Sequence, residues 1–318
     1  MPDGTPSRQR LLGNDGYQQS GAPWMNIEEF TLDARGMQFS GLACGPKEGE
    51  AVLLLHGFPQ FADGWAEVMA ALAKAGYRAI AIDQRGYSAG ARPERVRDYA
   101  VDELVEDVLA IATALGLGRF HLAGHDWGGI VAWTLAARYP DQLQSLSIVS
   151  TPHVDALLEA RRTDRDQKRR SRYITVFRLP FHIAEWLLLR RGASALKQIF
   201  KDKLPKPRLD DYVYRLTHPG TLTAGLNWYR ALDIHIQIGK IDVATVFVWG
   251  SDDQALGRIA AETTGAHVTA SYRFVELQGA SHWLLEECPE VVAEALIDHL
   301  KVTAPTGAQQ SPQISSDM

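Results

Sequence analysis

The chain has 318 residues, of which 46% are hydrophobic and 22% are charged, a composition typical of a protein with a sizeable buried core. Its net charge of −5 excludes a general attraction to nucleic acid or to anionic membranes, and no apolar run reaches membrane-spanning length. The two cysteines, Cys44 and Cys288, stand in no metal-binding spacing, and they favour a reduced, cytoplasmic compartment.

The two ends of the chain differ in composition from its middle. Residues 1–25 are polar and lack the apolar stretch of a secretion signal, so they are predicted to form a mobile arm. Residues 303–318 are rich in Ser, Gln, Pro and Thr, which predicts a disordered tail. We expect neither end to carry the chemistry.

The middle of the chain alternates short apolar runs with amphipathic stretches, a pattern typical of a parallel sheet covered by helices. The predicted strands are, in chain order, 52–55, 78–82, 120–123, 146–149, 245–249 and 272–277. The predicted helices begin at Trp65, Leu104, Gly128 and Pro289. The alternation stops after residue 150, and only helical patterns follow until residue 240. We therefore predict an α/β core at 26–150 and 241–302, interrupted by a helical lid at 151–240.

A basic run marks the start of this predicted lid. Seven Lys and Arg residues lie between Glu159 and Arg172, and Asp164 and Asp166 stand among them. Because acidic residues interrupt the run, we interpret it as a solvated helix face with salt bridges.

One short motif stands where a predicted strand meets a predicted helix. Gly-His-Asp-Trp-Gly at 124–128 matches the nucleophile-elbow pattern Gly-x-Ser-x-Gly, with Asp126 in the serine position. The glycines permit the tight turn, and the N-terminus of the following helix favours negative charge at Asp126. The alternative is that Asp126 only caps this helix.

Two further residues suit a base and its acid partner. His282 follows the last predicted strand, and Asp253 follows the strand before it. The chain order nucleophile, acid, histidine is that of the α/β hydrolases. Asp252 is an alternative for the acid, and a purely structural His282 is the alternative for the base.

A second loop is predicted to complete the site. His-Gly-Phe-Pro at 56–59 directly follows the first buried strand. The backbone N–H groups of Phe58 and Trp127 are predicted to form an oxyanion hole, one from each loop. A simple turn without function is the alternative.

An aspartate nucleophile changes the reaction that the site can perform. Its carboxylate is ionised at neutral pH without the help of a base, and it can attack a saturated carbon. The product is an alkyl ester of Asp126, which water activated by His282, itself held by Asp253, would hydrolyse. An ester or amide substrate suits this site poorly because attack would give an anhydride. The leaving group is therefore a halide or the oxygen of a strained ring.

Taken together, these motifs resemble the epoxide hydrolase branch of the α/β-hydrolase superfamily, to which haloalkane dehalogenases are closely related. The resemblance spans roughly residues 27–300. It implies an α/β-hydrolase fold with a mostly parallel eight-stranded sheet flanked by helices, and an inserted helical cap. It also implies a small apolar epoxide or related alkyl electrophile as substrate, with no metal and no cofactor. A homodimer is one option for the oligomeric state, which the sequence leaves open.

The resemblance also assigns residues of the cap and of the substrate site. Epoxide hydrolases place two cap tyrosines over the nucleophile, where their hydroxyls hold and protonate the ring oxygen. Tyr229, within Asn-Trp-Tyr-Arg at 227–230, and Tyr173, seven residues before Pro180, match these positions. Aromatic packing of the cap on the core is the alternative for both. Trp127, Phe58 and Trp283 are expected to contact the substrate.

Two other functions stay open on sequence alone. A haloalkane dehalogenase would hold halide with N–H donors such as that of Trp127, but these enzymes often have Asn where Phe58 stands here. Fluoroacetate-type dehalogenases resemble the chain around 56–59, yet they carry arginine where Trp127 stands. A protein that binds a ligand on this fold without catalysis is the other alternative.

Overall fold

A central sheet organises the fold. The computed structural model describes residues 27–233 and 236–303 of the chain. The sheet has eight strands in the order β1-β2-β4-β3-β5-β6-β7-β8. These strands are β1 (Glu28–Ala34), β2 (Met37–Cys44), β3 (Ala51–Leu55), β4 (Arg78–Ile82), β5 (Phe120–His125), β6 (Leu143–Val149), β7 (Thr245–Gly250) and β8 (Tyr272–Leu277). β2 runs antiparallel to β1 and β4, and the other neighbouring strands run parallel, which confirms the predicted fold class.

Helices follow most of the strands. The α-helices of the described residues are α1 (Ala66–Lys74), α2 (Val101–Ala114), α3 (Trp127–Arg138), α4 (Val154–Thr163), α5 (Arg165–Arg170), α6 (Tyr173–Phe177), α7 (Ile183–Ile199), α8 (Lys206–Thr217), α9 (Thr221–Ala231), α10 (Arg258–Thr263), α11 (Leu284–Glu287) and α12 (Pro289–Thr303). Short 3-10 helices lie at Ala62–Trp65, Val96–Tyr99, Pro140–Gln142 and Thr264–His267.

The two faces of the sheet are covered by different helices. Val52 and Leu54 of β3 share a hydrophobic cluster with side chains of α1 and α12. Leu53 and Leu55, which point the other way, share a second cluster with side chains of α2 and α3. A parallel strand buried on both faces has an unbroken apolar sequence, which is why β3 was predictable from its composition.

Six helices, α4 to α9, lie between β6 and β7, and we call them the inserted helices. They are attached to the core by specific contacts: Trp228 of α9 donates its indole N–H to the carbonyl oxygen of Arg85 (2.9 Å). On α8, Arg215 pairs with Asp63 at 2.8 Å. Helix α7 is interrupted at 190–193, where Arg191 and Ala193 have positive φ angles of 54° and 60°. Their assignment as a separate lid bounded at 151 and 240 stays a prediction.

The first two strands form a hairpin that the apolar pattern did not reveal. Ala34 pairs with Met37, so Arg35 and Gly36 alone form the loop, both with positive φ (51° and 72°). Two-residue loops of this conformation match the twist of antiparallel strands. β1 lies at the edge of the sheet and alternates exposed and half-buried residues, which is too weak a pattern to stand out from a loop.

Parts of the predicted ends lie outside the described residues. This is the case for the arm at 1–25 and for 304–318 of the tail, whereas Thr303 is the last residue of α12. Among the described residues, no helix combines the length and apolar character needed to cross a bilayer.

Candidate active site

Asp126 occupies a sharp turn between β5 and α3. Its backbone angles are φ 51° and ψ −120°, a conformation that side-chain-bearing residues rarely adopt. A Cβ atom added to Gly128 would lie 2.1 Å from the carbonyl oxygen of Leu55, so the turn passes too close to β3 for any side chain there. The elbow thus holds Asp126 at the carboxyl end of the sheet, at a cost of about 1–3 kcal/mol in backbone strain.

The carboxylate of Asp126 accepts hydrogen bonds from two backbone N–H groups. Phe58 donates its N–H to Oδ1 at 2.7 Å, and the backbone N–H of Trp127 also hydrogen-bonds the carboxylate. Burial raises the pKa of Asp126, but hydrogen bonding to His282 and the nearby imidazoles outweigh it, so the net pKa is lowered. The two predicted oxyanion-hole residues therefore both face the predicted nucleophile, which is ionised at neutral pH.

His282 bridges the two carboxylates named in the sequence analysis. Its Nδ1 lies 2.7 Å from Oδ2 of Asp253, and its Nε2 lies 3.4 Å from Oδ2 of Asp126. Oδ1 of Asp253 accepts hydrogen bonds from the N–H groups of Ala255 (2.7 Å) and Leu256 (2.9 Å), which fixes the carboxylate. Asp252 is exposed and does not contact the imidazole, so the geometry favours Asp253 as its partner.

The charge state of His282 follows from these contacts. Burial lowers its pKa, but the Asp253 charge and hydrogen bonds to both carboxylates raise the pKa to about 10. The imidazole is therefore protonated at neutral pH beside the ionised carboxylate of Asp126.

Two residues that the sequence analysis passed over hold the backbone of His282. Ser150 donates its hydroxyl to the carbonyl oxygen of His282 at 2.9 Å, and His125 donates Nε2–H to the same oxygen at 2.9 Å. Burial lowers the pKa of His125 to about 4, so it is neutral. The only signal for His125 in the sequence was its place inside the elbow motif, and Ser150 had none.

The two predicted tyrosines come together beside Asp126. Their ring centres are 6.1 Å apart, and Tyr229 packs edge-on against Trp127 at 5.0 Å. The pKa of Tyr229 is raised well above its usual value, first by burial and then by the charge of Asp126. The pKa of Tyr173 is raised for the same reasons, although a hydrogen bond with Tyr229 opposes the shift. Both phenols therefore keep their protons next to the carboxylate.

A cavity of about 60 Å³ adjoins Asp126, so the carboxylate faces open space rather than packed core. Most of its lining is apolar, and the polar part includes the two tyrosines, Arg161 and Asp233. The lining residues are Val101, Asp126, Trp127, Ile130, Thr134, Thr151, Val154, Leu157, Leu158, Arg161, Ser171, Tyr173, Ile174, Tyr229, Leu232, Asp233, Ile236 and Leu256.

Of the three residues expected to contact substrate, only Trp127 lines this cavity. Trp283 instead packs its indole against Phe200 at 4.6 Å, and its N–H hydrogen-bonds the carbonyl oxygen of Ile199 (3.3 Å). The ring of Phe58 packs between Phe177 and Tyr229, while its backbone N–H is used on Asp126. The side chains of Phe58 and Trp283 therefore pack around the site, and their contact with substrate stays a prediction.

One cluster of potential metal ligands lies elsewhere among the described residues, at His153, Asp155 and His267. The two imidazole rings stack at 4.4 Å with only 9° between their planes, so their in-plane lone pairs do not converge on one point. The carboxylate of Asp155 accepts the backbone N–H groups of Ile238 and Gly239, both at 3.0 Å. This arrangement fits a packed polar cluster better than a metal site, and the absence of metal and cofactor stays a prediction.

Comparison with known proteins places this geometry in context. Residues 50–289 match the family model for the alpha/beta hydrolase fold. The AB hydrolase superfamily protein YfhM of Bacillus subtilis is 34% identical over 278 residues, covering 85% of this chain and 96% of that protein. Epoxide hydrolase 3 of Xenopus tropicalis is 34% identical, covering 84% of this chain and 75% of that protein. The crystal structure of Epoxide Hydrolase A from Mycobacterium thermoresistibile superposes with a TM-score of 0.77 at 28% identity, covering 87% of this chain and 98% of that one.

Proposed function

The chain belongs to the α/β-hydrolase family, in its epoxide hydrolase branch, and we propose that it opens epoxides to vicinal diols through a covalent ester on Asp126. One observation carries the proposal. Oδ1 of Asp126 accepts the backbone N–H of Phe58 while Oδ2 lies toward His282, and Asp126 lines the same cavity as the two tyrosines. A carboxylate divided in this way has one oxygen for attack and one for charge stabilisation.

In the first step, Oδ2 of Asp126 attacks a ring carbon, and the carbon–oxygen bond of the epoxide breaks. The electron pair goes to the ring oxygen, which takes a proton from Tyr229 or Tyr173. The raised pKa of both phenols keeps these protons in place until the ring oxygen becomes strongly basic. The products of this step are an alkyl ester of Asp126 and a free hydroxyl group on the neighbouring carbon.

In the second step, His282 removes a proton from water, and the resulting hydroxide attacks the ester carbonyl. The oxyanion forms on Oδ1, which already accepts the N–H of Phe58, and the N–H of Trp127, which also hydrogen-bonds this carboxylate, is the second donor. Collapse of this intermediate breaks the bond between the carbonyl carbon and Oδ2, so Oδ2 leaves with the diol. The proton held by His282 passes to the departing alkoxide, and the carboxylic acid left on Asp126 then gives its proton to His282, which restores the resting charges.

The high pKa of His282 in the resting site is consistent with this order of steps. A protonated imidazole cannot act as a base, but alkylation turns Asp126 into a neutral ester. The ester no longer supplies the charge and the hydrogen bond that help to raise the pKa of His282. The imidazole proton then passes, by way of solvent, to the tyrosinate left by ring opening, which restores the phenol. His282 therefore becomes available as a base only after the intermediate has formed.

The tyrosines favour an epoxide over a haloalkane as the substrate. A departing halide needs no proton, whereas a ring oxygen does, and two protonated phenols line the cavity beside Asp126. A paired assay separates the two functions: styrene oxide is converted to diol, and a short bromoalkane releases no bromide. Bromide release without diol formation would reverse the assignment.

The covalent step is tested by a single turnover in heavy-oxygen water, with enzyme in excess over styrene oxide. The peptide that contains Asp126 is expected to gain the heavy isotope, and the first diol released carries ordinary oxygen from the enzyme. Incorporation into the diol alone, with an unlabelled peptide, would contradict the ester and favour direct attack by water.

The intermediate is trapped by His282→Gln, which should allow alkylation but not hydrolysis. Mass spectrometry is expected to show the enzyme heavier by one epoxide. His299→Gln is the matched control, because His299 is a buried histidine whose Nε2 contacts the carbonyl oxygen of Ala244, away from Asp126. That variant should turn over normally and accumulate no adduct.

A further inference from the structure

One face of α4 forms a wall of the cavity beside Asp126. Val154, Leu157, Leu158 and Arg161 all line the cavity, and their spacing of three, four and seven residues places them on one side of the helix. The wall is apolar for its first turns and ends in a guanidinium group. Arg161 is therefore part of the substrate cavity and not of the outer helix surface.

Arg161 differs from its basic neighbours because it is both half-buried and without a partner in the described part of the chain. The other unpaired cations of the run, Arg165, Lys168 and Arg172, are exposed. Arg162 pairs with Glu159, and Arg169 and Arg170 pair with Asp166, as expected for a solvated face. Arg161 is half-buried, and among the residues that the structure describes it forms no ion pair and no hydrogen bond. A partly desolvated cation without a counter-charge is unfavourable, so this position suits a group that meets an anion in the ligand.

The electrostatic surroundings agree with this role. The pKa of Arg161 is lowered, first by burial and further by the charge of Arg178, although the phenol of Tyr173 opposes the shift. The other charged groups of the lining are Asp126 and Asp233, both acidic. An anion near Asp126 would be repelled, so Arg161 is the position in the cavity where a negative group is attracted.

The helix geometry separates the two ends of a bound ligand. Val154 lies three residues after Thr151, whose hydroxyl donates to the carbonyl oxygen of Asp126 (2.8 Å), so the first turn of α4 is close to the nucleophile. Arg161 is seven residues farther along the helix, about 10 Å at 1.5 Å per residue. Between the two ends, Leu157 and Leu158 offer apolar surface to a hydrocarbon chain.

We propose that the cavity selects epoxides bearing a carboxylate, which pairs with Arg161 while the ring lies against Asp126. The inference rests on the proposed function and adds the class of substrate. An apolar chain joins the two groups along α4. Planar carboxylate and guanidinium groups form paired charge-assisted hydrogen bonds, which explains an arginine at this position.

The test compares a terminal epoxide of octanoate with its methyl ester, which has the same chain and no charge. Arg161→Gln is expected to reduce kcat/KM for the acid by at least about tenfold, as loss of a charged hydrogen bond does, and for the ester by less than about threefold. Arg162→Gln removes one positive charge from the adjacent, exposed position and is the matched control. It should leave both values unchanged.

The same comparison distinguishes carboxylate binding by Arg161 from an effect of Arg161 on Tyr173. If Arg161 acted by tuning Tyr173, Arg161→Gln would slow the acid and the ester by the same factor, and the proposal would be overturned. An unchanged ratio between acid and ester in every variant would overturn it as well.

Octanoate binding, measured by calorimetry, is independent of turnover. We expect the wild-type enzyme to bind octanoate and Arg161→Gln to weaken the binding at least about tenfold. If octanoate binding depends on Arg161 but neither epoxide is opened, the proposed function fails and the carboxylate site stands. If the ester is opened and octanoate binds equally to both proteins, the carboxylate site fails and the epoxide hydrolase stands.

Discussion

The position of the proton in the site depends on the interaction of His282 with two neighbouring carboxylates. His282 lies between the carboxylates of Asp126 and Asp253, and its pKa of about 10 reflects both of them against an opposing effect of burial. The lowered pKa of Asp126 has the same origin, because each charged form stabilises the other. A change at either residue must therefore appear in the titration of its partner.

We predict that Asp126→Asn lowers the pKa of His282 by at least about one unit, since each unit corresponds to about 1.4 kcal/mol of lost interaction. Asparagine keeps the shape of the side chain but removes its charge, as alkylation would. The imidazole nitrogen shifts of His282, followed by NMR between neutral pH and the alkaline limit of the fold, measure the change. An unaltered pKa would mean that Asp126 has no part in controlling the base.

The two tyrosines allow a prediction about the ring-opening step. Because their hydroxyls hydrogen-bond each other beside Asp126, either one can protonate the ring oxygen. Tyr229→Phe or Tyr173→Phe alone should slow alkylation moderately, and the double variant should lose most of the roughly 100-fold to 10,000-fold contribution of an acid catalyst. Stopped-flow measurement of alkylation in the His282→Gln background isolates this step.

A third tyrosine provides the control for these variants. Tyr272 on β8 also has a buried hydroxyl, which has no hydrogen-bond partner within the described part of the chain. Tyr272→Phe should alkylate at the wild-type rate. A double variant that alkylates as fast as wild type would remove the tyrosines from the mechanism.

The loop after β3 and the elbow after β5 meet so closely that each element fixes the other. A Cβ atom on Gly57 would lie 2.3 Å from both Cβ and Oδ1 of Asp126, so only glycine permits this approach. The same approach brings the N–H of Phe58 to Oδ1. The proposed oxyanion hole therefore depends on the packing of two loops rather than on either loop alone.

Gly57→Ala is expected to push the two loops apart and to reduce kcat/KM by about 100-fold or more, the effect of losing an oxyanion donor. Gly118→Ala is the matched control, because a Cβ at Gly118 would meet no atom within 4 Å and its φ is not in the left-handed region. Circular dichroism of both variants checks that the fold is retained. Full activity of Gly57→Ala would contradict the close approach of these loops.

The sequence predicted these elements to the extent that each one carries its own pattern. β3 and β5 are buried on both faces, so their apolar runs stood out, and the motifs at their ends identified Asp126 and the Phe58 loop. The β1–β2 hairpin was missed because an edge strand alternates weakly. Features that depend on elements distant in sequence were not predictable. These are the orientation of Trp283, the hydrogen bonds of His125 and Ser150 to the backbone of His282, and the position of Arg161 in the cavity lining.

The whole molecule supplies the site from two parts of the chain. The sheet and its loops hold Asp126, Asp253 and His282, whereas the inserted helices bring Tyr173 and Tyr229 to the same cavity. Packing of the whole fold also buries other histidines, some of them away from the site. Burial lowers the pKa of His56, His125 and His299 to about 4 each, while His282 moves in the opposite direction.

These shifts predict that the free energy of unfolding is greatest near pH 6.5 to 7. A histidine with a lowered pKa stabilises the fold above about pH 6.5, and this contribution is lost as the pH falls through about 4, because the unfolded chain takes up a proton that the fold excludes. For His282 the pH dependence of the unfolding free energy has the opposite sign, because its pKa is raised. Its contribution is complete below about pH 6.5 and is lost as the pH rises through about 10.

His299 tests the loss of stability at acid pH, because its Nε2–H donates to the carbonyl oxygen of Ala244 (3.1 Å) and it does not contact the site. Glutamine can replace this donor. Between pH 7 and pH 4.5, His299→Gln should reduce the loss of unfolding free energy by on the order of 2 kcal/mol, as expected for a pKa moved from about 6.5 to about 4. Urea unfolding at a series of pH values measures the difference. His218→Gln, at an exposed position, is the control and should leave the pH dependence of the unfolding free energy unchanged. If the wild type and both variants had the same pH dependence, burial of His299 would not contribute to acid unfolding.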